Sequence, residues 1–245
     1  MESKSTVLEH LGELRKRIII SAAAVIIATI ASVPFAQPIF AFLKAPASGV
    51  IDRLAFFSPE EAFLVYMRVS FSAGFLFSFP VIVHQIWAFA VPAIGDDFKR
   101  YAFYFIIFVS ASFLAGCLFS YYILLPNALK FLLSIGAEDL VPVISAARYI
   151  SFVTGMVLAC GLVFQMPVLS FFLTRVGIIN ARILRKNFKY ALVVITIVAA
   201  VITPTVDIFN MTAMALPMVL LYEVSVWVAW AAEFIGKKRI VYGRA

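Results

Sequence analysis

Thirteen acidic side chains are spread over 245 residues that are 64% hydrophobic, and their positions limit the chemistry available. Glu13 stands in HLGELRKR, four residues before Arg17 and just ahead of a long apolar run. A carboxylate at such an edge can accept a guanidinium through two parallel N–H···O bonds, a fork that lysine does not reproduce. The plainer reading is an exposed i,i+4 pair with Arg17, worth about 0.3–0.5 kcal/mol. Asp96-Asp97, in PAIGDDFKR, is a second acidic spot. It can cap the following helix, where the N-terminal dipole favours aspartate, and that role is compatible with holding a cation. Gln165 lies well inside an uncharged run, which directs it toward protein or a water-filled cavity rather than lipid. Hydrogen bonding between helices, at about 1 kcal/mol, is the ordinary role there. Asp207 and Glu223 mark the ends of the last apolar segment.

Other chemistries lack their residues. There is no P-loop, G-x-S-x-G or H-E-x-x-H pattern, and His10 and His84 are the two histidines. Cys117 and Cys160 lie within apolar runs without a C-x-x-C spacing, so neither a disulfide, a metal site nor a cofactor is expected. The chain reads as a non-enzyme. Its net charge of +7 does not point to nucleic acid, because the cations sit between apolar runs.

The elements that must position these residues are membrane helices. With 13% charged residues and a mean hydropathy of +1.03, too little polar surface exists to cover a water-soluble globule. The apolar runs are continuous rather than alternating, which favours helices over a β-barrel. Residues 1–17 predict a cytoplasmic amphipathic helix, with Thr6 as N-cap of a Thr-x-x-Glu capping box and Val7, Leu8, Leu11, Leu14 and Ile18 on one stripe. Six spans are expected near 18–36, 62–85, 101–125, 149–173, 190–202 and 208–228, with a tail over 234–245. Mixed composition with Pro38, Pro46 and Pro59 between spans one and two suits an interfacial helix and a turn.

Spans five and six read as short. The fifth offers only about 20 Å of helix before Thr203-Pro204, and the sixth meets Glu223 early, so the bilayer is expected to thin around the pair. The alternative is that these helices run past the apolar boundaries, with Glu223 buried against a neighbour. Pro80, Pro167 and Pro217 can kink their helices, which favours a concave bundle. Lys44, Arg53, Arg68, Lys130 and Arg148 fall on one side of the membrane, and the remaining 15 of the 20 Lys and Arg on the other. The positive-inside bias, with an even number of spans, puts both termini in the cytoplasm.

Taken in order, HLGELRKR (10–17), PVIVHQIWAFAVPAI (80–94), SYYILLPNALKFLL (120–133), SFVTGMVLACGLVFQMPV (151–168), ITPTVDIFNM (202–211) and ALPMVLLYE (215–223) resemble the TatC family of the twin-arginine protein translocase. The resemblance covers essentially the whole chain. It implies a glove-like bundle of six helices in the bacterial cytoplasmic (inner) membrane. It also implies a receptor for the twin-arginine signal peptides of folded cargo, working with single-span TatA-type and TatB-type partners and other TatC copies, with transport driven by the proton-motive force. By position, Glu13 matches the family's arginine-binding glutamate, Arg15 and Leu11 its motif neighbours, and Phe89 an aromatic at the signal-binding edge. Pro46 matches a proline of the first periplasmic loop, Gln165 a position filled by glutamate or glutamine, and Thr203 and Asp207 the turn between spans five and six. Spans five and six resemble the region where partner helices dock. One departure is Phe98, where many relatives carry a second arginine-binding glutamate; Asp97 or Asp96 beside it is the candidate replacement. A small-solute or ion carrier using Gln165 and Glu223 is the alternative function, and a purely structural membrane scaffold a third. A carrier predicts inverted repeats and midplane charges.

Overall fold

A computed structural model describes residues 2–48, 54–94, 102–134, 143–202 and 208–242, with backbone alone at 2–10, 91–94, 208–210 and 235–242. The described residues are almost entirely helical: α1 Glu2–Ser32, α2 Ala36–Lys44, α3 Pro59–Ile94, α4 Ala102–Phe119, α5 Leu125–Ser134, α6 Ala146–Val163, α7 Met166–Arg175, α8 Ala181–Lys186, α9 Phe188–Ile202 and α10 Ile208–Tyr242. Among the described residues, five stretches are long and apolar enough to cross a membrane: Leu11–Ala47, Pro59–Ala90, Ala102–Ser134, Ala146–Arg175 and Met211–Phe234. The apolar helix Phe188–Ile202 is a shorter sixth. Their outward faces are apolar. Ile19, Ile26, Ile27 and Ile30 of α1 are each more than half exposed, while Ser32 on the same helix is buried. Such an arrangement is stable where lipid is the solvent.

The chain forms two compact units, residues 1–111 with 141–154, and residues 112–140 with 155–245. In the first, α1 and α3 run antiparallel along one seam. They approach closely at Gly74, where a Cβ would stand 2.4–2.6 Å from the side chain and backbone of Thr29. The far end of this unit is stapled by Glu61 in the first turn of α3. Its carboxylate accepts from the backbone N–H groups of Phe57 (2.7 Å) and Ala147 (3.0 Å) and from the Ser145 hydroxyl. Ala55 exchanges backbone hydrogen bonds with Ile144 (2.9 Å) and Ala146 (2.8 Å), and the Tyr149 hydroxyl donates to the Leu43 carbonyl (2.9 Å). Replacing a buried acceptor leaves its donors unmet. Glu61→Ala is therefore expected to lower the thermal midpoint of the detergent-solubilised protein. Glu61→Gln, which keeps one carbonyl oxygen, is expected to lower it less.

In the second unit, Gly116 and Gly161 let α4 and α6 close on each other, since a Cβ at Gly116 would lie 2.8 Å from the Cys160 carbonyl. A π-helical turn, Ser120–Leu124, joins α4 to α5, with the Leu125 N–H reaching back to the Ser120 carbonyl. It absorbs the missing N–H of Pro126 without ending the helix. Along α10, Met214, Met218, Tyr222, Val226 and Ala229 are buried while Leu216, Leu220, Trp227 and Trp230 are exposed. The buried stripe packs on α7, where the Ser170 hydroxyl donates to the Ser225 carbonyl (2.9 Å). Asn180 caps α8 by accepting from Ile183 N–H (2.7 Å), and Tyr222 donates to the Leu184 carbonyl (2.7 Å).

Several sequence expectations change. The amphipathic segment 1–17 and span one are one continuous helix, with Thr6 inside it rather than at its N-cap. The third apolar segment continues as helix to Ser134, because Leu125, Ala128 and Leu129 give α5 a buried stripe of its own. Helix five is short, 15 residues and about 22 Å. Helix six is not. It runs on past residue 228 to Tyr242, and half-buried Glu223 lies in its middle. A charge ends an apolar run without ending a helix, and glutamate is a good helix former. The expected thinning around the pair thus loses its support from helix six. Of the three prolines, Pro167 follows a break at Phe164–Gln165, whereas α3 and α10 continue through Pro80 and Pro217.

Candidate functional site

The antiparallel seam brings the start of α1 beside the end of α3. Arg17 Nη2 donates to Glu13 Oε1 at 3.0 Å, one helical turn away, as the i,i+4 spacing predicts. The second contact was not predicted: Arg17 Nη1 donates to Gln85 Oε1 of α3 at 3.1 Å. Gln85 is buried, and its Nε2 lies 3.2 Å from His84 Nδ1, so its oxygen is turned toward Arg17. Arg17 and Glu13 remain partly accessible, with 27% and 36% of their side chains exposed. The result is a carboxylate at a helix edge, touched by one guanidinium nitrogen and open to solvent.

Of the expected binding residues, Leu11 and Arg15 lie exposed on the same part of α1 as Glu13, and Phe89 lies half-buried one turn beyond Gln85 on α3. Trp87, between them in sequence, stacks on Phe105 of α4 with ring centroids 4.3 Å apart. Pro46 occupies the 3-10 turn Ala45–Ala47 of the first unit. Asp96, Asp97, Thr203 and Asp207 lie outside the described residues.

Gln165 and Glu223 belong to the second unit. Gln165 is buried at the α6–α7 break. Its Nε2 donates to the Gly161 carbonyl of its own helix (3.3 Å), and its Oε1 is buried without a partner. The Phe164 carbonyl at the break accepts from the Ser112 hydroxyl (2.9 Å). Gln165 is thus packed within protein, and its described bond is within its helix rather than between helices. Among the described residues, no group of three His, Cys, Asp or Glu side chains is placed to hold a metal.

What the sequence did not reveal is Gln85 and its contact with Arg17. Gln85 had a signal, a polar side chain within the apolar stretch PVIVHQIWAF, the same argument that singled out Gln165.

Apolar-faced helices of membrane-crossing length, with polar groups gathered at a helix edge and a helix break, define a polytopic α-helical membrane protein. Residues 9–217 match the family described as Sec-independent protein translocase protein (TatC). The chain belongs to the TatC family, and its function is that of a Tat translocase subunit; the small-solute carrier reading has no support. It is 40% identical to the Helicobacter pylori Sec-independent protein translocase protein TatC over 220 residues, covering 90% of this chain and 85% of that one. It is 38% identical to the Aquifex aeolicus protein of the same name, covering 89% and 92%. Its fold superposes on a crystal structure of the twin-arginine translocase receptor TatC with a TM-score of 0.81 at 36% identity, covering 91% of this chain and 99% of the other.

Proposed function

We propose that this protein is the signal-peptide receptor of its translocase, and that Glu13 binds one arginine of the twin-arginine pair. The observation that carries this reading is the part-exposed Glu13 carboxylate at the edge of α1, which already accepts one N–H of a guanidinium, that of Arg17. A second guanidinium needs a second carboxylate, and Asp97, beside the position where Phe98 replaces the expected glutamate, supplies it in this proposal. The recognition edge faces the cytoplasm of a bacterial inner membrane with both termini inside, in keeping with the crowding of Lys and Arg into the N-tail, residues 92–100, residues 174–189 and the C-tail. The apolar part of the peptide follows the exposed apolar faces of the helices into lipid. TatA-type and TatB-type single-span proteins and further copies of the chain are the proposed partners, and the proton-motive force the proposed drive.

The test is crosslinking from positions 13, 97 and 165 to a peptide with consecutive arginines followed by an apolar stretch. Crosslinks from 13 and 97 that vanish when the peptide's Arg-Arg becomes Lys-Lys are expected, because an ammonium makes no fork. Capture that ignores this change counts against the receptor site. If Asp97→Ala leaves crosslinking unchanged while Glu13→Ala abolishes it, Asp97 is not the second carboxylate.

A further inference from the structure

The Arg17 guanidinium sits where a ligand guanidinium would have to go. It is the same chemical group, from the same chain, on the carboxylate assigned above to the peptide. We infer that Arg17, steadied by Gln85, is an internal stand-in for the signal-peptide arginine, and that peptide binding proceeds by displacing it from Glu13. This rests on the receptor reading and adds a competition step to it.

Three features make Arg17 a removable occupant. It approaches Glu13 with Nη2 on Oε1, while its Nη1 is engaged by Gln85 rather than by the second carboxylate oxygen. Its grip is therefore a single-nitrogen one, which a peptide arginine making two parallel bonds exceeds. The pair is partly exposed and screened, so its hold is weak. Arg17 Nε is also buried without a partner, a cost the resting pose carries and release to solvent removes. Gln85 opposes release. Buried on α3, with its amide fixed against His84, it holds Nη1 and keeps the guanidinium over Glu13. An empty receptor thus keeps its carboxylate paired, and a ligand must compete for it.

An internal competitor lowers the affinity of every ligand for that carboxylate by one factor, so removing it raises all of them together. Arg17→Gln is expected to tighten binding of a synthetic twin-arginine signal peptide to the full-length protein in nanodiscs by roughly twofold to fivefold. A Lys-Lys version of the peptide should gain by the same factor from its weaker starting point. Arg17→Lys keeps the charge but replaces the two-nitrogen fork that spans Glu13 and Gln85 with a single ammonium, so a smaller gain is expected. Gln85→Leu should also tighten binding, by loosening Arg17, and should add nothing in the Arg17→Gln background.

A purely structural Arg17 gives the opposite sign, because losing it would misplace Glu13 and weaken binding. Unchanged or weaker binding in Arg17→Gln overturns the stand-in. So does a Gln85→Leu effect that persists without Arg17, since Gln85 would then be touching the peptide itself. Should Arg17→Gln fail to fold, Arg17→Lys and Gln85→Leu carry the same signs and decide. Failure of the wild-type protein to bind the twin-arginine peptide would count against the receptor reading instead, so the two failures are distinguishable.

Discussion

Glu13→Gln is expected to reduce twin-arginine peptide binding by about tenfold to a hundredfold with little effect on folding. The substitution is nearly isosteric, but it replaces an acceptor-only anion with a neutral amide that presents one oxygen and an N–H₂ group. Hydrogen bonds to charged groups contribute about 1.5–3 kcal/mol, and each 1.4 kcal/mol is tenfold in affinity. The fold loses only a partly exposed i,i+4 pair, worth about 0.3–0.5 kcal/mol. Equilibrium binding to the protein in nanodiscs, beside its thermal midpoint, separates the two effects. Glu13→Asp retains the charge on a shorter side chain and should lose less. Wild-type affinity in Glu13→Gln would show that the peptide does not use this carboxylate. The contrast with Arg17 is the informative part: neighbours on one turn of α1 are expected to move affinity in opposite directions.

Much of this site was legible because its first contact is local. The i,i+4 relation places Glu13 beside Arg17 in any helix, and the apolar runs announce the helices. Gln85 could not be placed from the sequence. It lies 68 residues from Arg17, and their meeting depends on the register of α1 against α3. That register is set where Gly74 admits Thr29, a packing fact with no local periodicity behind it. Glu61 was unreadable for a similar reason. A glutamate after a proline at a helix start looks like ordinary dipole complementation, and nothing nearby reveals that Ser145 and Ala147 come to meet it. Helix ends were misread wherever hydropathy stood in for hydrogen bonding. Glu223, Asn127 and Lys130 interrupt apolar runs, yet the backbone ladder carries on through them. Pro167 did coincide with a break, while Pro217 shows that a proline in an apolar run need not produce one.

Gly74→Leu is expected to prevent accumulation of folded protein, and Gly74→Ala to destabilise it by about 1–3 kcal/mol. The first added carbon would already stand 2.4 Å from Thr29 Oγ1, 2.5 Å from Thr29 N and 2.6 Å from Thr29 Cα. A hydroxyl can rotate away, but the nitrogen and Cα belong to the backbone of α1. The helices must then separate along the seam or slide past one another. Thr29→Ala, combined with Gly74→Ala, should therefore restore stability only in part, since it removes one of the three clashes. A full rescue would show that the clash is with the Thr29 side chain alone and that the two backbones do not limit the approach. Gly12, on the same α1 helix, is the control. Nothing lies within 4 Å of a Cβ built there, so Gly12→Ala should be neutral or stabilising by up to about 1 kcal/mol. Because the same seam aligns Arg17 with Gln85, the Gly74→Ala protein that does fold should lose the Gln85→Leu effect on peptide affinity. Loss of that coupling alongside the fall in thermal midpoint would tie the register of two membrane helices to the readiness of one carboxylate.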